Sequence, residues 1–318
     1  MCEHCSNIVT NVRQYDPTRT TTIRNRFARD MRSRFNEIAR VVKVAIVDKN
    51  ALGLGLVTHQ VTTPGNLAFN FPLDANKLEA FMEWLALQVE RGILEVSDIQ
   101  RFGSLSSEYW TNAYITDTYK KGVIRARYEL RKAGFDVPTI EQQGGINAVL
   151  SSPVHVNKLA LLYARVFREL RGITEAMDTQ ISRILAQGLA DGDGPKLLAR
   201  KLVSVINGTG TDQLGLDISY INPRSGKQVN YFMPGRRRAE ILARTETIRA
   251  HHVANMQEYE SWGAIGLKVK AEFQTAGDDR VCPECSALEG NIYTIEQAWS
   301  MIPVHPLCRC IMLPITKI

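Results

Sequence analysis

The strongest constraint in the sequence is an apolar stripe near its middle. Leu159, Leu162, Val166, Leu170, Ile173, Met177, Ile181 and Ile184 recur in steps of three and four. That spacing keeps to one face of an α-helix. Sustained over roughly thirty residues, it predicts a rod of about 45–50 Å at ~1.5 Å per residue. So long a stripe suits a helical hairpin or a coiled-coil-like contact, and it suits equally one long helix lying on its own core. Asp191-Gly192-Asp193-Gly194-Pro195 ends the rod and opens another helix, with Leu197, Leu198, Leu202, Val205 and Ile206 on its apolar face.

Shorter stripes of the same period flank it. Phe27, Met31, Phe35, Ile38 and Val42 predict a helix that follows a Thr20-Thr21-Thr22 N-cap, with residues 1–18 as a polar arm. Leu78, Phe81, Met82, Leu85 and Val89 predict a helix over about 74–91, and another is expected over about 108–133. Residues 49–76 read as loops with one or two short strands around Leu54–Val61. Asn207 to Pro234 reads as a polar loop. A helix then runs from Gly235 to about Trp262, stopped by Gly263. His251 and His252 lie within it, pointing about 100° apart, so they cannot share a metal; one is expected in the core and the other in water. Leu267 to Phe273 alternates apolar and polar residues, as a strand with one wet face does.

The chain has 318 residues, of which 44% are hydrophobic and 23% charged. That composition excludes a wholly disordered protein. No apolar run reaches the ~18 residues of a membrane-spanning helix. The start, Met1-Cys2-Glu3-His4-Cys5, lacks the layout of a signal peptide, so no passage through the secretory route is expected. Net charge is +6, and its distribution is uneven. Between Arg19 and Lys43 eight basic residues face two acidic ones, and from Arg236 to Arg249 five arginines face two glutamates. Arg24, Arg26, Arg29, Arg32, Arg34, Arg236, Arg237 and Arg238 therefore form either a solvated surface or a contact with DNA or an acidic partner. The last 56 residues, from Gly263 on, carry five basic and six acidic residues, a poor start for gripping a polyanion.

The cysteines carry the chemistry. Cys282-x2-Cys285 is followed, after nineteen residues, by His305-x2-Cys308-x-Cys310. A Cys-x2-Cys turn offers two thiolates to one side, and zinc takes four nitrogen or sulfur ligands in a tetrahedron. Five candidates are present; Cys282, Cys285, His305 and Cys308 are the favoured set, with Cys310 as the spare. Four protein ligands would leave no open position for water, so zinc there would be structural, holding a segment too short for its own core. Cys2 and Cys5 form a second half-site without a partner nearby in sequence. No metalloprotease, nucleophile-elbow or phosphate-loop signature occurs, so no catalytic residue is assigned.

The run Ala243-Arg244-Thr245-Glu246, the strand that follows, Asp278-Asp279-Arg280, Cys282-Pro283-Glu284-Cys285 and His305-Pro306-Leu307-Cys308-Arg309-Cys310, in that order, resembles the phage Mu protein F-like family, similar to the SPP1 minor head protein. The resemblance covers about 195–314. It implies a minor head protein of a tailed bacteriophage, present in few copies in the virion and acting in head morphogenesis in the host cytoplasm. Its implied partners are the portal protein or the major capsid protein, with double-stranded DNA as a further one. The Cys/His cluster would be the family's zinc knuckle. Arg244, Thr245 and Glu246 would be structural, a buried ion pair and a packed threonine, in preference to catalytic.

Together these readings give a mainly α chain with long helices, no large sheet and a small α+β module stabilised by zinc at its end. Residues 1–48 form an arm and a basic helix, 49–150 a helical and loop region, 151–262 the long-helix region and 263–318 the strand and zinc knuckle. Neither a membrane nor enzymatic activity is expected; a multimer is compatible with the long helix. The alternative is a metal-dependent nuclease or other hydrolase carried in the phage head. A base-reading zinc element is a third reading, disfavoured because aromatic and basic residues do not interleave there.

Overall fold

A computed structural model describes residues 16–54, 69, 71–94, 96–97, 108–209, 216–221 and 228–315. Helix α1 spans Thr21–Lys43 and runs into a turn of π-helix, Val44–Asp48. Its stripe of Phe27, Met31, Phe35, Ile38 and Val42 is buried, as its spacing requires. The expected threonine cap is replaced. Thr20 makes no side-chain cap bond; instead the carboxylate of Asp16 accepts from the amides of Thr18 (3.1 Å) and Thr20 (3.0 Å) and from the Thr21 hydroxyl (2.6 Å). Helix α2, Asp74–Val89, also ends in a π-helical turn, and strands β1 (Val96–Ser97) and β2 (Glu108–Tyr109) pair antiparallel. Helix α3 spans Thr111–Lys132, and the short α4 spans Ile146–Leu150.

Helix α5, Pro153–Ala190, has 38 residues. It is one long helix on its own core, and no hairpin. Leu159, Leu162, Val166, Leu170, Ile173, Met177 and Ile181 are buried, after which the stripe moves to Leu185 and Leu189 while Ile184 is only partly covered. Two further steps of four follow the helix as it drifts relative to a strict heptad. Helix α6, Pro195–Asn207, begins with its proline in the first turn. The polar loop expected from Asn207 to Pro234 contains a hairpin instead: β3 (Leu216–Ile221) pairs antiparallel with β4 (Gln228–Met233) over six residues. Helix α7, Gly235–Ala264, passes through Gly263; its C-terminal turn closes at Gly266, whose φ of +104° suits glycine. The strands expected around residues 54–61 lie outside the described residues.

The remainder is a three-stranded antiparallel sheet, β5 (Lys270–Gln274), β6 (Ile292–Thr294) and β7 (Ile311–Ile315), in the order β6-β5-β7. Two one-turn helices, α8 (Pro283–Ser286) and α9 (Ile295–Ala298), flank it. The molecule is thus mainly α with one small C-terminal sheet. Helices α1, α2, α3, α5, α6 and α7 share the large core. A second core joins Ala271, Phe273, Cys285, Cys308, Cys310 and Met312 of the C-terminal segment to Ala126 and Leu130 of α3 and Ile248, Met256 and Tyr259 of α7. Helix α7 therefore lies between two cores, and this explains its histidines. His251 and His252 are both buried, where one was expected in water. His252 Nε2 meets the carbonyls of Ala298 (3.0 Å) and Trp299 (3.2 Å), tying α9 to α7.

Candidate metal centre

Cys282 occupies the N-cap of α8, and the amide of Cys285 donates to its sulfur at 3.4 Å. The single helical turn thus puts both sulfurs on one side. Opposite it, residues 305–308 form a second tight turn, in which the Cys308 amide donates to the His305 carbonyl at 3.1 Å. Leu307 takes a positive φ of 66° to make that turn. Its amide donates to the hydroxyl of Thr245 on α7 at 3.1 Å, and the Thr245 hydroxyl donates to the Ile241 carbonyl at 2.8 Å. The turn that carries His305 and Cys308 is therefore docked on α7 through Thr245.

The donors form two overlapping triples that share Cys285. Cys282, Cys285 and His305 have ligand atoms within 4.8 Å of one another, and so do Cys285, Cys308 and Cys310. His305 Nε2 is 3.2 Å from the sulfurs of both Cys282 and Cys285. His305 Nδ1 is 2.8 Å from the Pro306 carbonyl. An Nδ1–H donating there leaves Nε2 with its lone pair directed at the sulfurs, the tautomer of a metal-bound imidazole. Cys285, Cys308 and Cys310 are buried and Cys282 is partly exposed. The neighbouring thiols of Cys285 and Cys310 hydrogen-bond to the Cys308 sulfur and hold it far below the ordinary thiol range; bonding to Cys308 pushes Cys285 up. In a zinc tetrahedron with ~2.3 Å bonds to sulfur, donor atoms sit about 3.5–3.8 Å apart. The spacing, the soft donor set and the oriented imidazole fit such an ion. The five predicted ligands fall into these two triples, joined through Cys285.

Charged clamps hold this arrangement. Arg309, between Cys308 and Cys310, makes a two-pronged pair with Asp278 at 2.6 and 2.7 Å, and Arg280 reaches the same carboxylate at 2.9 Å. The bonds from Arg309, then those from Arg280, hold Asp278 well below the usual carboxylate range. Sequence reasoning quoted Asp278 and Arg309 without giving them a task; their positions four before the first cysteine and between the last two were the available signal. In the Arg-Thr-Glu run, Glu246 is buried and pairs with Arg165 of α5 (3.3 Å) and Arg249 (3.1 Å). Arg244 has its Nε buried without a partner among the described residues.

The arginines offered for DNA or a partner divide. Arg24 is turned inward, 7% exposed, against Asp16 and Thr21. Arg32 makes a two-pronged pair with Glu240 of α7 at 3.0 and 2.8 Å. Arg34 donates to the Gly92 carbonyl at 2.7 Å and lies over the Trp110 ring. Arg236 reaches Asn36 (3.3 Å) and Glu240 (3.7 Å), and burial lowers the pKa of Arg238. Arg26, Arg29 and Arg237 are exposed. Cys2 and Cys5 lie outside the described residues.

Residues 179–313 match the family described as Phage Mu protein F like protein. Over these residues the chain is similar to the phage Mu protein F-like family. The match begins near the end of α5, earlier than the motifs alone reach, and takes in α6, α7 and the whole Cys/His module. No curated protein and no solved structure matches the chain. That similarity points, coarsely, to a protein of bacteriophage head morphogenesis, with capsid-related partners and a place in the virion. Among the described residues no helix is long and apolar enough to cross a membrane.

Proposed function

We propose that the chain is a minor head protein whose C-terminal module is clamped by one structural zinc ion and acts in assembly without catalysing a reaction. The observation that carries this reading is the pair of donor triples, five sulfur and nitrogen donors joined through Cys285 and three of them buried, within the matched region. Zinc supplies cross-linking there: it replaces the larger core that residues 263–318 are too few to build. Cys282, Cys285, His305 and Cys308 hold it, and Cys310 lies beside them as the alternative fourth ligand. Four such ligands complete the tetrahedron and leave no place for a reacting water.

The portal or the major capsid protein is the partner this reading assigns, and the exposed Arg26, Arg29 and Arg237 supply the face turned to packaged DNA. Fractionated virions test the reading directly. The chain should travel with heads and remain with them when tails are removed, and the purified chain should carry about one zinc. Recovery outside the particle, or steady hydrolysis of DNA by the purified chain that His305→Ala abolishes, would overturn it.

A further inference from the structure

Three arginines of the motifs, Arg244 from the α7 run, Arg280 from the Asp-Asp-Arg turn and Arg309 from the last cysteine pair, come together with Arg24 at the start of α1. Helix α7 lies against α1, and the Thr245 bond to Leu307 brings the 305–310 turn to the residue next to Arg244. Arg24 is pulled down from its ordinary value by burial first; Asp16 raises it, and the charges of Arg244, Arg309 and Arg280 lower it further. Asp16 acts in turn on Arg309. Two carboxylates lie at this junction: Asp16 pairs with Arg24, and Asp278 pairs with Arg280 and Arg309.

Those two carboxylates do not satisfy the group. Asp278 is used by Arg309 and Arg280. Asp16 is used mainly by the backbone and hydroxyls at the end of α1, and its contact with Arg24 is long, 3.5 Å. Arg24 is more than nine-tenths buried, and among the described residues its Nη1 has no hydrogen-bond partner; neither has the buried Nε of Arg244. Leaving charged donors unpaired inside a protein is costly, and guanidinium forks match the oxygens of a tetrahedral oxyanion.

We infer that the junction of α1, α7 and the C-terminal module is a phosphate site, formed by Arg24, Arg244, Arg280 and Arg309, that binds a phosphate group and thereby locks the module to the helical body. The site is separate from the exposed arginines of α1 and does not depend on the chain's place in the virion. Its small positive surplus arises only where module and helices meet, which is why the module's own charge balance conceals it.

Inorganic phosphate is the probe, titrated into the full zinc-loaded chain at constant ionic strength and followed by phosphorus NMR and by melting temperature. Saturable binding and a rise in melting temperature beyond that given by chloride are expected. Arg244→Gln and Arg280→Gln should each weaken binding at least tenfold, while Arg183→Gln, at an exposed position of α5, leaves it unchanged. Arg280 is largely exposed, so its variant keeps the test valid if Arg244→Gln fails to fold. A short DNA duplex that displaces phosphate identifies a backbone phosphate as the natural source; phosphate binding that duplex leaves intact identifies a small phosphate compound, and both uphold the site. Absence of saturable phosphate binding, or equal binding by wild type and both variants, would refute it.

Discussion

At the scale of single residues, one glycine sits where two helices meet with no room for a side chain. Gly122 of α3 faces α7 so closely that a Cβ there would lie 2.6 Å from both the Ala254 Cβ and the His251 carbonyl oxygen. Backbone cannot give way as a flexible side chain can. Gly122→Ala should therefore destabilise the fold by about 1–3 kcal/mol in urea unfolding, the usual range for overpacking. Gly172 of α5 is the contrast, exposed and with nothing near a Cβ. Gly172→Ala should stabilise by about 0.5–1 kcal/mol through helix propensity alone. A second consequence belongs to the buried histidines beside Gly122. Burial lowers His251 to about 3 and His252 to about 4. Because the unfolded chain binds protons near the ordinary ~6.5 and the folded one does not, stability falls as pH drops from about 6.5 towards 4. His251→Gln should reduce the pH dependence across that window, measured as urea midpoints at fixed zinc. The sequence showed His251 and His252 pointing apart; it could not show that α7 is covered on both sides.

At the scale of elements, the metal module and the bundle differ in what holds them. Helix α5 rests on nine buried apolar residues, from Leu159 to Leu189. The sheet β6-β5-β7 rests on few, and three of its companions in the second core are the cysteines Cys285, Cys308 and Cys310. Removal of zinc by a chelator should thus cost amide protection in 270–274 and 311–315 first, while α5 keeps its protection. Hydrogen exchange with and without chelator distinguishes this from global unfolding, in which all segments would lose protection together. What was legible follows the same division. The α5 stripe could be read because eight residues in succession keep its period. The β3–β4 hairpin was missed although Leu216-Asp217-Ile218-Ser219-Tyr220 alternates, because Gly, Pro and Asn around it masked a short signal. The Asp16 clasp was invisible because a cap four residues ahead of Thr20 follows no spacing rule. Convergence of the five donors was legible from Cys-x2-Cys and His-x2-Cys; the shared position of Cys285 was not, because spacing within each half says nothing of how the halves meet.

At the scale of the whole molecule, the boundary drawn at Gly263 crosses a core. Ile248, Met256 and Tyr259 of α7 and Ala126 and Leu130 of α3 are buried with residues of the C-terminal segment, and the Tyr259 hydroxyl donates to the Met312 carbonyl at 3.3 Å. The helical body and the module also share polar ties: Thr245 to Leu307, and His252 to Ala298 and Trp299. A chain cut after Ala264 would expose that apolar face, including a tyrosine now fully enclosed. Each large side chain so uncovered forfeits about 1.5–3 kcal/mol of burial. With a domain's total stability of only ~5–15 kcal/mol, the loss of several is a large fraction. The fragment 1–264 should bind a hydrophobic dye, melt well below the full chain and self-associate as concentration rises. The complementary peptide 265–318 should bind zinc more weakly than the full chain does, because the turn bearing His305 and Cys308 has lost its hold on Thr245. Full-length stability in the fragment, with no dye binding, would mean that the two parts are independent modules and that the shared core contributes little.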